Sequence, residues 1–576
     1  MIIELVGLPG AGKSTFGRKL AHLKKYKKIK ITSIWELCWF NVSFFFHHPI
    51  TFFRLFVLYL TYAGSQDLWY TKFMSVFLDY NAKYMKAQQY SYALLDQGHL
   101  QVLLSLPDTT LPEKEISRIL RYLPKADHYI FFDISKEIRQ QRLSERKNVP
   151  RQWMPKQAWE KWQEATGNNY VSLISLVGEL APATIDVIEN DADIKVVALQ
   201  YHSAKFMRYI TFARMPTEKA HGLQIAKMCE AFDQAGAHVS LVTPKRRNYI
   251  QSTVTSYYGL KMALQHLEAP VFDIIGYTKK VRPVHHYVHE FLFAWRVLWM
   301  HIPQEMIVYT RSVAVAFVCG LRGKKVIAEQ HFWPNTGSRL HAFMLSYATH
   351  IPCNSEGTYD ACLQHGLPQA FVAHNGFDVS VLEESISQLE ARNNLHIPTD
   401  GKVAMYIGSL VGWKGVDTFC SVAEELKGEI TIVVIGGKLD ELEVWRQKYP
   451  DVLFIGPRPY SEIGKNQKAA DVLVVPNNPI TRESNEYTSP IKLFAHMASG
   501  VPILVSDLPA MRNILSEDTA FFFTAGNAES LKESIEYITQ HSDEAFNRAQ
   551  NARKKSTEYT WVNRAKNILI KFKNHI

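Results

Sequence analysis

Apolar and polar positions along the chain fall into two kinds of stretch: short continuous apolar runs, and longer segments with helical spacing. The run Ile2 to Val6 leads into a Gly-rich turn and then into helical spacing from Lys13. Further runs come at YALLD (92–96), at His128 to Phe132 before Asp133, and at Thr184 to Ile188 before the polar ENDAD. Strands alternating with helices in this way predict a parallel sheet with helices on both faces. A long aromatic section between Trp35 and Tyr90 reads as helical and interrupts the alternation once. One α/β domain over residues 1–200 accounts for the region.

From Met207 the alternation starts afresh. RYITFARM (208–215) is strand-like, Gly222 to Ala235 has helical spacing, and VSLVT (239–243) is the next strand. MIVYT (306–310), KVIAE (325–329) and FVAHN (371–375) extend a second α/β unit over 205–390. The polar stretch Asn394 to Gly401, with Pro398, reads as a connection. Beyond it VAMYIGS, ITIVVIGG, DVLFIG, DVLVVP and VPILVS supply strands of a third unit over 400–576, whose last helix is expected to cross back to the second. Two consecutive doubly wound units imply a cleft between them, with ligands at strand C-terminal ends.

Composition agrees with several folded domains. At 576 residues the chain is too long for one core, and a prior of roughly 150 residues per domain gives three or four. Apolar residues make up 47% and charged residues 21%, which excludes a disordered or low-complexity chain. The formal charge of +10 suits nucleic acid, an anionic membrane surface or nucleotide substrates alike, and the sign alone selects none; no motif calls for nucleic acid. Lys24, Lys25, Lys27, Lys28 and Lys30 read as a solvated face after the first helix. Six cysteines without C-x-x-C pairing argue against a disulfide frame or zinc site and for a reducing cytoplasm. A chain opening directly on a strand and a nucleotide loop leads us to expect no signal peptide.

The most membrane-like stretch, Phe44 to Gly64, carries two His, a Pro and an Arg. These interrupt it too often for a spanning helix. Buried or substrate-lid helices are the first reading, and an interfacial helix that dips into a membrane is the second. Peripheral contact with the inner face of the cytoplasmic membrane follows from the second.

The candidate chemistry begins at GLPGAGKST. Gly7, Gly10, Gly12, Lys13, Ser14 and Thr15 fit G-x-x-x-x-G-K-[ST] between a strand and a helix. Backbone N–H groups of such a loop bind phosphate oxygens, the Lys reaches the terminal phosphates, and the Ser14 hydroxyl ligates Mg²⁺ on the nucleotide. Triphosphate binding, with ATP and Mg²⁺, is the expectation. Transfer requires more. Asp96 closes the apolar strand of LLDQG, where its carboxylate would point toward the loop, although a turn or N-cap Asp reads the same. Arg139, Arg142 and Arg146 recur at helical spacing on one face and can clamp phosphates, although a basic helix paired with Glu137 and Glu145 would look alike. Together these segments resemble the nucleoside monophosphate kinase-like branch of P-loop kinases. That resemblance implies catalytic roles for Lys13 and Asp96 and charge stabilisation by the three arginines.

The segment 207–560 resembles retaining glycosyltransferases of family 4, which have the two-domain GT-B fold. The resemblance rests on PTEKAHGLQIAKMCEAF, EQHFWPN, PCNSEG, HNGFD, YIGSLVGWKGVD, VVIGG and TSPIKLFAHMASGVPILVSD, in the family's order. It implies a nucleotide-sugar donor and no metal, since cations and helix N-termini can hold the departing diphosphate. Lys414 in GWKG and Lys492 in SPIK are the diphosphate candidates. His331 is the residue expected to meet a sugar, and Gly222, beside His221 and Glu218, is expected to let a ligand approach the backbone. Asn375 and Gly376 form a turn at the hinge side.

This sequence departs from the family where two glutamates eight positions apart are usual: Tyr487 and Ala495 stand there. Glu486, one position off the first place, is the carboxylate expected to reach the sugar instead. Ser409 stands where many members carry a phosphate-binding Arg, with Arg458 as a substitute. The leading expectation is a bifunctional enzyme of cell-surface polysaccharide or glycolipid assembly, phosphorylating a sugar, glycan or small acceptor and transferring a sugar to a glycan or lipid-linked acceptor. Two alternatives stay open: a glycosyltransferase with a non-catalytic nucleotide-binding module, and a kinase joined to a degenerate carbohydrate-binding scaffold.

Overall fold

The computed structural model of the chain describes residues 2–22, 26–62, 66–90, 92–145, 156–180, 185–189, 205–262, 264–271, 282–487, 489 and 491–573. Its apolar runs become three parallel sheets. The first contains β1 (Ile2–Gly7), β2 (Lys27–Lys28), β3 (Ala93–Leu95), β4 (His128–Phe132) and β5 (Ile185–Ile188), in the order β2-β3-β1-β4-β5. β1 is buried along its whole length between helices, which is why it reads as a continuous apolar run. β2 has no such signal: two lysines pair by backbone alone with Ala93 and Leu94 at the sheet edge.

The aromatic section folds into helices Ile34–His47, Pro49–Tyr62, Gln66–Lys72 and Asp79–Ala87, the last two joined by a π-helical turn. Ser33 starts the first of them by accepting the Glu36 N–H. Leu37, Phe40 and Phe44 of one helix and Leu55, Leu58 and Tyr59 of the next enter the core. Each such side chain contributes roughly 1.5–3 kcal/mol, enough to dock the pair while their other faces stay outside.

The second sheet contains β6 (Lys205–Ile210), β7 (Ala237–Lys245), β8 (Gln265–Pro270), β9 (Ile307–Thr310) and β10 (Val326–Ala328), in the order β10-β9-β6-β7-β8. Two short strands, β11 (Ile351–Cys353) and β12 (Ala370–Val372), extend it through bridges from Ile327 to His350 and from Gln330 to Cys353. The third contains β13 (Lys402–Ile407), β14 (Ile430–Ile435), β15 (Val452–Gly456), β16 (Val472–Val475), β17 (Ile503–Ser506) and β18 (Phe521–Phe523), in the order β15-β14-β13-β16-β17-β18. In both sheets the chain starts centrally, winds to one edge and returns to the other. That reversal makes a crevice at the strand C-termini.

The helix Gln388–Leu395 packs on the third sheet: Ala391 and Leu395 join its core, and buried Arg392 pairs with Asp471 at 2.6 Å. The last helix, Trp561–Lys573, leaves the third sheet and packs through Trp561, Ala565 and Ile568 against Met207, Tyr209 and the helix Ala220–Gln234.

The first two sheets meet at their strand N-termini. Arg208, inside β6, pairs with Asp127 ahead of β4 at 2.9 Å and donates to the His301 carbonyl. Asp127 also accepts the Ile2 N–H. The Phe206 ring meets that of Tyr92, ahead of β3, at 5.8 Å, and His238 at the start of β7 meets His128 at 5.8 Å.

Candidate functional site

At the C-terminal end of β1 the chain turns through Leu8 to Gly12 into the helix Lys13–His22. Gly10 and Gly12 have φ of 85° and 95°, a backbone that other residues rarely adopt. The Lys13 ammonium donates to the carbonyls of Gly7 and Leu8 and so lies over the loop. Ser14 and Thr15 are exposed on the first turn. Asp96, one residue past β3, reaches this turn: its Oδ2 accepts from Ser14 Oγ at 3.1 Å. The turn that carries it is tied down by Glu4 inside β1, whose carboxylate accepts the Leu100 and Gln101 N–H groups.

Lys28 completes the group, with its ammonium 2.7 Å from the same Asp96 oxygen. The reading of the Lys24–Lys30 run as a solvated face is therefore corrected at Lys28. Pairing of β2 with β3 aims this side chain inward, and no pattern of charges along the chain would single it out.

The arginine face is split. The Arg142 guanidinium sits over Gly12, 3.3 Å from where a Cβ would stand. Arg139 instead folds back, donating from Nε to the Ile134 carbonyl, while its own backbone carbonyl closes on Gly10. Arg146 lies outside the described residues.

The second candidate site lies at the C-terminal ends of β13 and β16, where the third sheet reverses its winding. Gly408 follows β13, and the segment Gly412–Lys414 makes a single 3-10 turn. Gly415 follows with φ of 68°, and a Cβ there would collide with the Pro476 carbonyl. The turn is thus pinned against the loop after β16, with the Asn478 N–H donating to the Trp413 carbonyl at 2.9 Å. Lys414 Nζ stands 3.6 Å from the centroid of the Trp413 ring.

Lys492, on the helix Ile491–Ser499, points to the same place. Its Nζ is buried 3.9 Å from the Tyr406 ring centroid and has no hydrogen-bond acceptor among the described residues. Burial, reinforced by the charge of Lys414, holds its ammonium well below the ordinary lysine range. Asn477 is also fully buried there, and neither its Oδ1 nor its Nδ2 has a partner among the described residues. Buried amides are normally paired, so Asn477 joins the candidate site; the sequence offered only a polar residue after an apolar run.

Other expected residues stand apart from this centre. Ser409 is exposed, and its carbonyl accepts the Tyr406 hydroxyl. Arg458 is exposed beyond β15, two strands from the reversal. The Glu486 carboxylate turns to Arg482 at 3.0 Å, which corrects the expectation of a free carboxylate for a sugar. Tyr487 is buried among core residues of the opposing lobe, and its carbonyl accepts from Asn354. Ala495 is buried in the helix core.

Across the cleft, Glu329 follows β10 and is fully buried, accepting from Gln224 at 2.8 Å and from Arg564 of the last helix. Burial alone would raise its carboxyl, but Arg564, His331 and Arg311 hold it well below the usual range. His331 Nε2 lies 2.9 Å from Glu329. Burial, then Arg311, pushes this imidazole down to about 4 against the pull of Glu329, so it is neutral near pH 7. Gly222 is corrected: the space beside its Cα is filled by the Tyr258 hydroxyl and Thr217, so glycine is required there by internal packing. Asn375 bridges the lobes, donating to the carbonyl of Ser489 at 2.8 Å.

Two doubly wound sheets facing one another, with the last helix returning to the first of them, define the GT-B architecture of glycosyltransferases. In the C-terminal lobe, residues 387–555 match the family model for glycosyl transferases group 1. Among curated proteins, the chain is 24% identical over 195 residues to the D-inositol 3-phosphate glycosyltransferase of Corynebacterium urealyticum, covering 31% of this chain and 44% of that one. It is 23% identical over 238 residues to a Bacillus subtilis protein named as a teichuronic acid biosynthesis glycosyltransferase, TuaC, covering 40% and 56%. The chain spans about half the length of the curated relatives it matches. Among solved structures, sucrose-phosphate synthase from Thermosynechococcus elongatus superposes with a TM-score of 0.52 at 16% identity, covering 64% of this chain and 98% of that one. HepE of Anabaena, solved with UDP and glucose, gives 0.50 at 14%, covering 64% and 99%. These likenesses are of fold.

Proposed function

We propose that the chain is a bifunctional cytoplasmic enzyme of three domains, over 1–200, 205–390 and 400–576, that transfers a sugar from a nucleotide donor and a phosphoryl group from ATP. The observation that carries the first activity is the convergence of Lys414 and the buried Lys492 ammonium at the reversal point of the third sheet. Two cations in a place poor in acceptors suit a diphosphate leaving group, whose charge grows as the glycosidic bond to the donor breaks. His331, neutral beside an ionised Glu329, is suited to hydrogen-bond a sugar hydroxyl from the opposite lobe. A relative named for teichuronic acid biosynthesis supports a glycan acceptor in polysaccharide assembly, and the lipid-linked alternative rests on the same pathway class.

For the second activity, Lys13, Ser14 and Asp96 stand together at one strand edge with Lys28 and Arg142 beside them. Ser14 would ligate Mg²⁺ on ATP, and Asp96 would orient an acceptor hydroxyl or the metal's water. A second reading, kinase joined to a sugar-binding scaffold, is favoured by one observation: no carboxylate occupies the places of Tyr487 and Ala495, and Glu486 is engaged by Arg482. One experiment separates these. The full chain is incubated with ATP, mixed nucleotide sugars and a glycan extract, and phosphate and hexose additions are followed separately by mass spectrometry. Lys13→Ala is expected to abolish phosphate addition alone, and Lys414→Ala to cut hexose addition at least tenfold. Absence of hexose addition would leave the scaffold reading, and absence of phosphate addition would reduce the first domain to a binding module.

A further inference from the structure

The helices Ile34–His47 and Pro49–Tyr62 each turn one apolar stripe into the core and a second one outward. On the first helix the outward stripe is Trp35, Trp39, Val42 and Phe46, at one-face helical spacing, with Trp35 84% and Phe46 74% exposed. On the second it is Ile50, Phe53, Val57 and Leu60, with Ile50 68% exposed. The stripes are continuous: the Phe45 ring lies 5.4 Å from Phe46 and 5.8 Å from Phe53. The helices are bent by 116° at His48. Each has 14 residues, about 21 Å at 1.5 Å per residue, well short of the ~30 Å hydrocarbon core of a bilayer. No single helix among the described residues is long and apolar enough to cross a membrane.

A soluble monomer does not normally leave so large a continuous apolar face in water. The charge pattern says what covers it. From Leu37 to Gln66 the sequence contains no carboxylate; Arg54 is the one full charge, exposed between Phe53 and Val57, with His47 beside Phe46 and a chain net charge of +10. Tryptophan and phenylalanine on one face with cationic and no anionic groups suit the headgroup boundary of an anionic bilayer, where indole and phenyl rings sit.

We propose that this helix pair is a monotopic docking surface for an anionic phospholipid membrane, lying in the interface plane with Trp35, Trp39, Phe46 and Phe53 inserted. The surface belongs to the first domain and does not depend on the sugar-transfer reading. It would hold the molecule where a lipid-linked acceptor lies.

Flotation of the full chain with vesicles of phosphatidylglycerol and phosphatidylethanolamine tests the proposal. The wild type is expected to float. The variant carrying Trp35→Ser, Trp39→Ser, Phe46→Ser and Phe53→Ser is expected to partition at least tenfold less, with circular dichroism unchanged because the substituted side chains lie outside the core. Should that variant misfold, Phe46→Ser and Arg54→Glu singly carry the test, each lowering partition several-fold. The proposal is overturned if the wild type stays at the bottom of the gradient or if the folded variants float as well as the parent. It is equally overturned if the substitutions convert a dimer to a monomer while no form floats, since the face would then be a self-association surface.

Discussion

Lys492 combines a buried ammonium, an aromatic face and a second lysine, an arrangement that costs stability in the absence of an anion. Lys492→Met keeps the packing and removes the charge. It is expected to stabilise the chain by roughly 1–2 kcal/mol while weakening binding of a nucleoside diphosphate at least tenfold. The pH dependence follows from the direction of the shift. Because the folded lysine titrates well below the unfolded one near 10.5, the unfolded state binds the extra proton between those values, so stability rises with pH across that window. Urea denaturation at about pH 6 and about pH 9 should show a larger rise in the wild type than in Lys492→Met, which keeps the rise that buried neutral imidazoles such as His331 contribute; equal slopes would mean that Lys492 is not the buried charge described. Asn477 raises the parallel question, since a fully buried amide without a partner among the described residues fits a ligand hydroxyl or base.

At the scale of the element, the last helix ties the third unit back to the second. Its Arg564 anchors the helix to the second unit, donating to the carbonyls of Ala373 and His374 and pairing with Glu329, 235 positions earlier. Arg564→Met leaves that carboxylate buried without its principal cation and is expected to cost about 3–5 kcal/mol, read by chemical denaturation. Adding Glu329→Gln should recover part of the loss; no recovery would show that the helix is held by its apolar face alone.

The return of this helix was legible as architecture, from the resemblance to a two-lobed family, but the ion pair that fixes it was not, because nothing local to either residue specifies so distant a partner. Strands were readable where both sheet faces are covered, as in β16, whose run is wholly apolar, and β1, whose run is apolar but for Glu4. They were harder to read where a strand is polar or short: β2 is two lysines, β8 is half polar and β18, although apolar, is three residues. The candidate sites divide likewise. Lys13, Ser14 and Asp96 were legible as candidates from the loop motif and a strand end, and Lys414 and Lys492 from the resemblance alone. Lys28 and the turning away of Arg139 and Glu486 depend on neighbours that the sequence does not reveal.

At the scale of the whole molecule, the first and second sheets abut through Asp127–Arg208 and Tyr92–Phe206, with Asp127, Tyr92 and Phe206 at strand N-termini. The phosphate loop lies at the opposite, C-terminal edge of the first sheet, and the cleft lies at the C-terminal edges of the other two. The two proposed active sites therefore face away from one another, and fusion gives no direct passage between them. In a coupled reaction, an intermediate labelled at the first site should be diluted in full by an unlabelled pool before it reaches the second. Incomplete dilution would require a path that this arrangement does not contain.

The central claim is that the reversal point of the third sheet receives the diphosphate of a nucleotide sugar between Lys414 and Lys492. Calorimetric titration of the full chain with a panel of nucleotide sugars tests it most directly. The account predicts saturable binding of at least one member, weakened at least tenfold by Lys414→Ala and by Lys492→Met and left unchanged by Lys13→Ala. Failure of every member to bind, or equal binding by the two cleft variants, would contradict it.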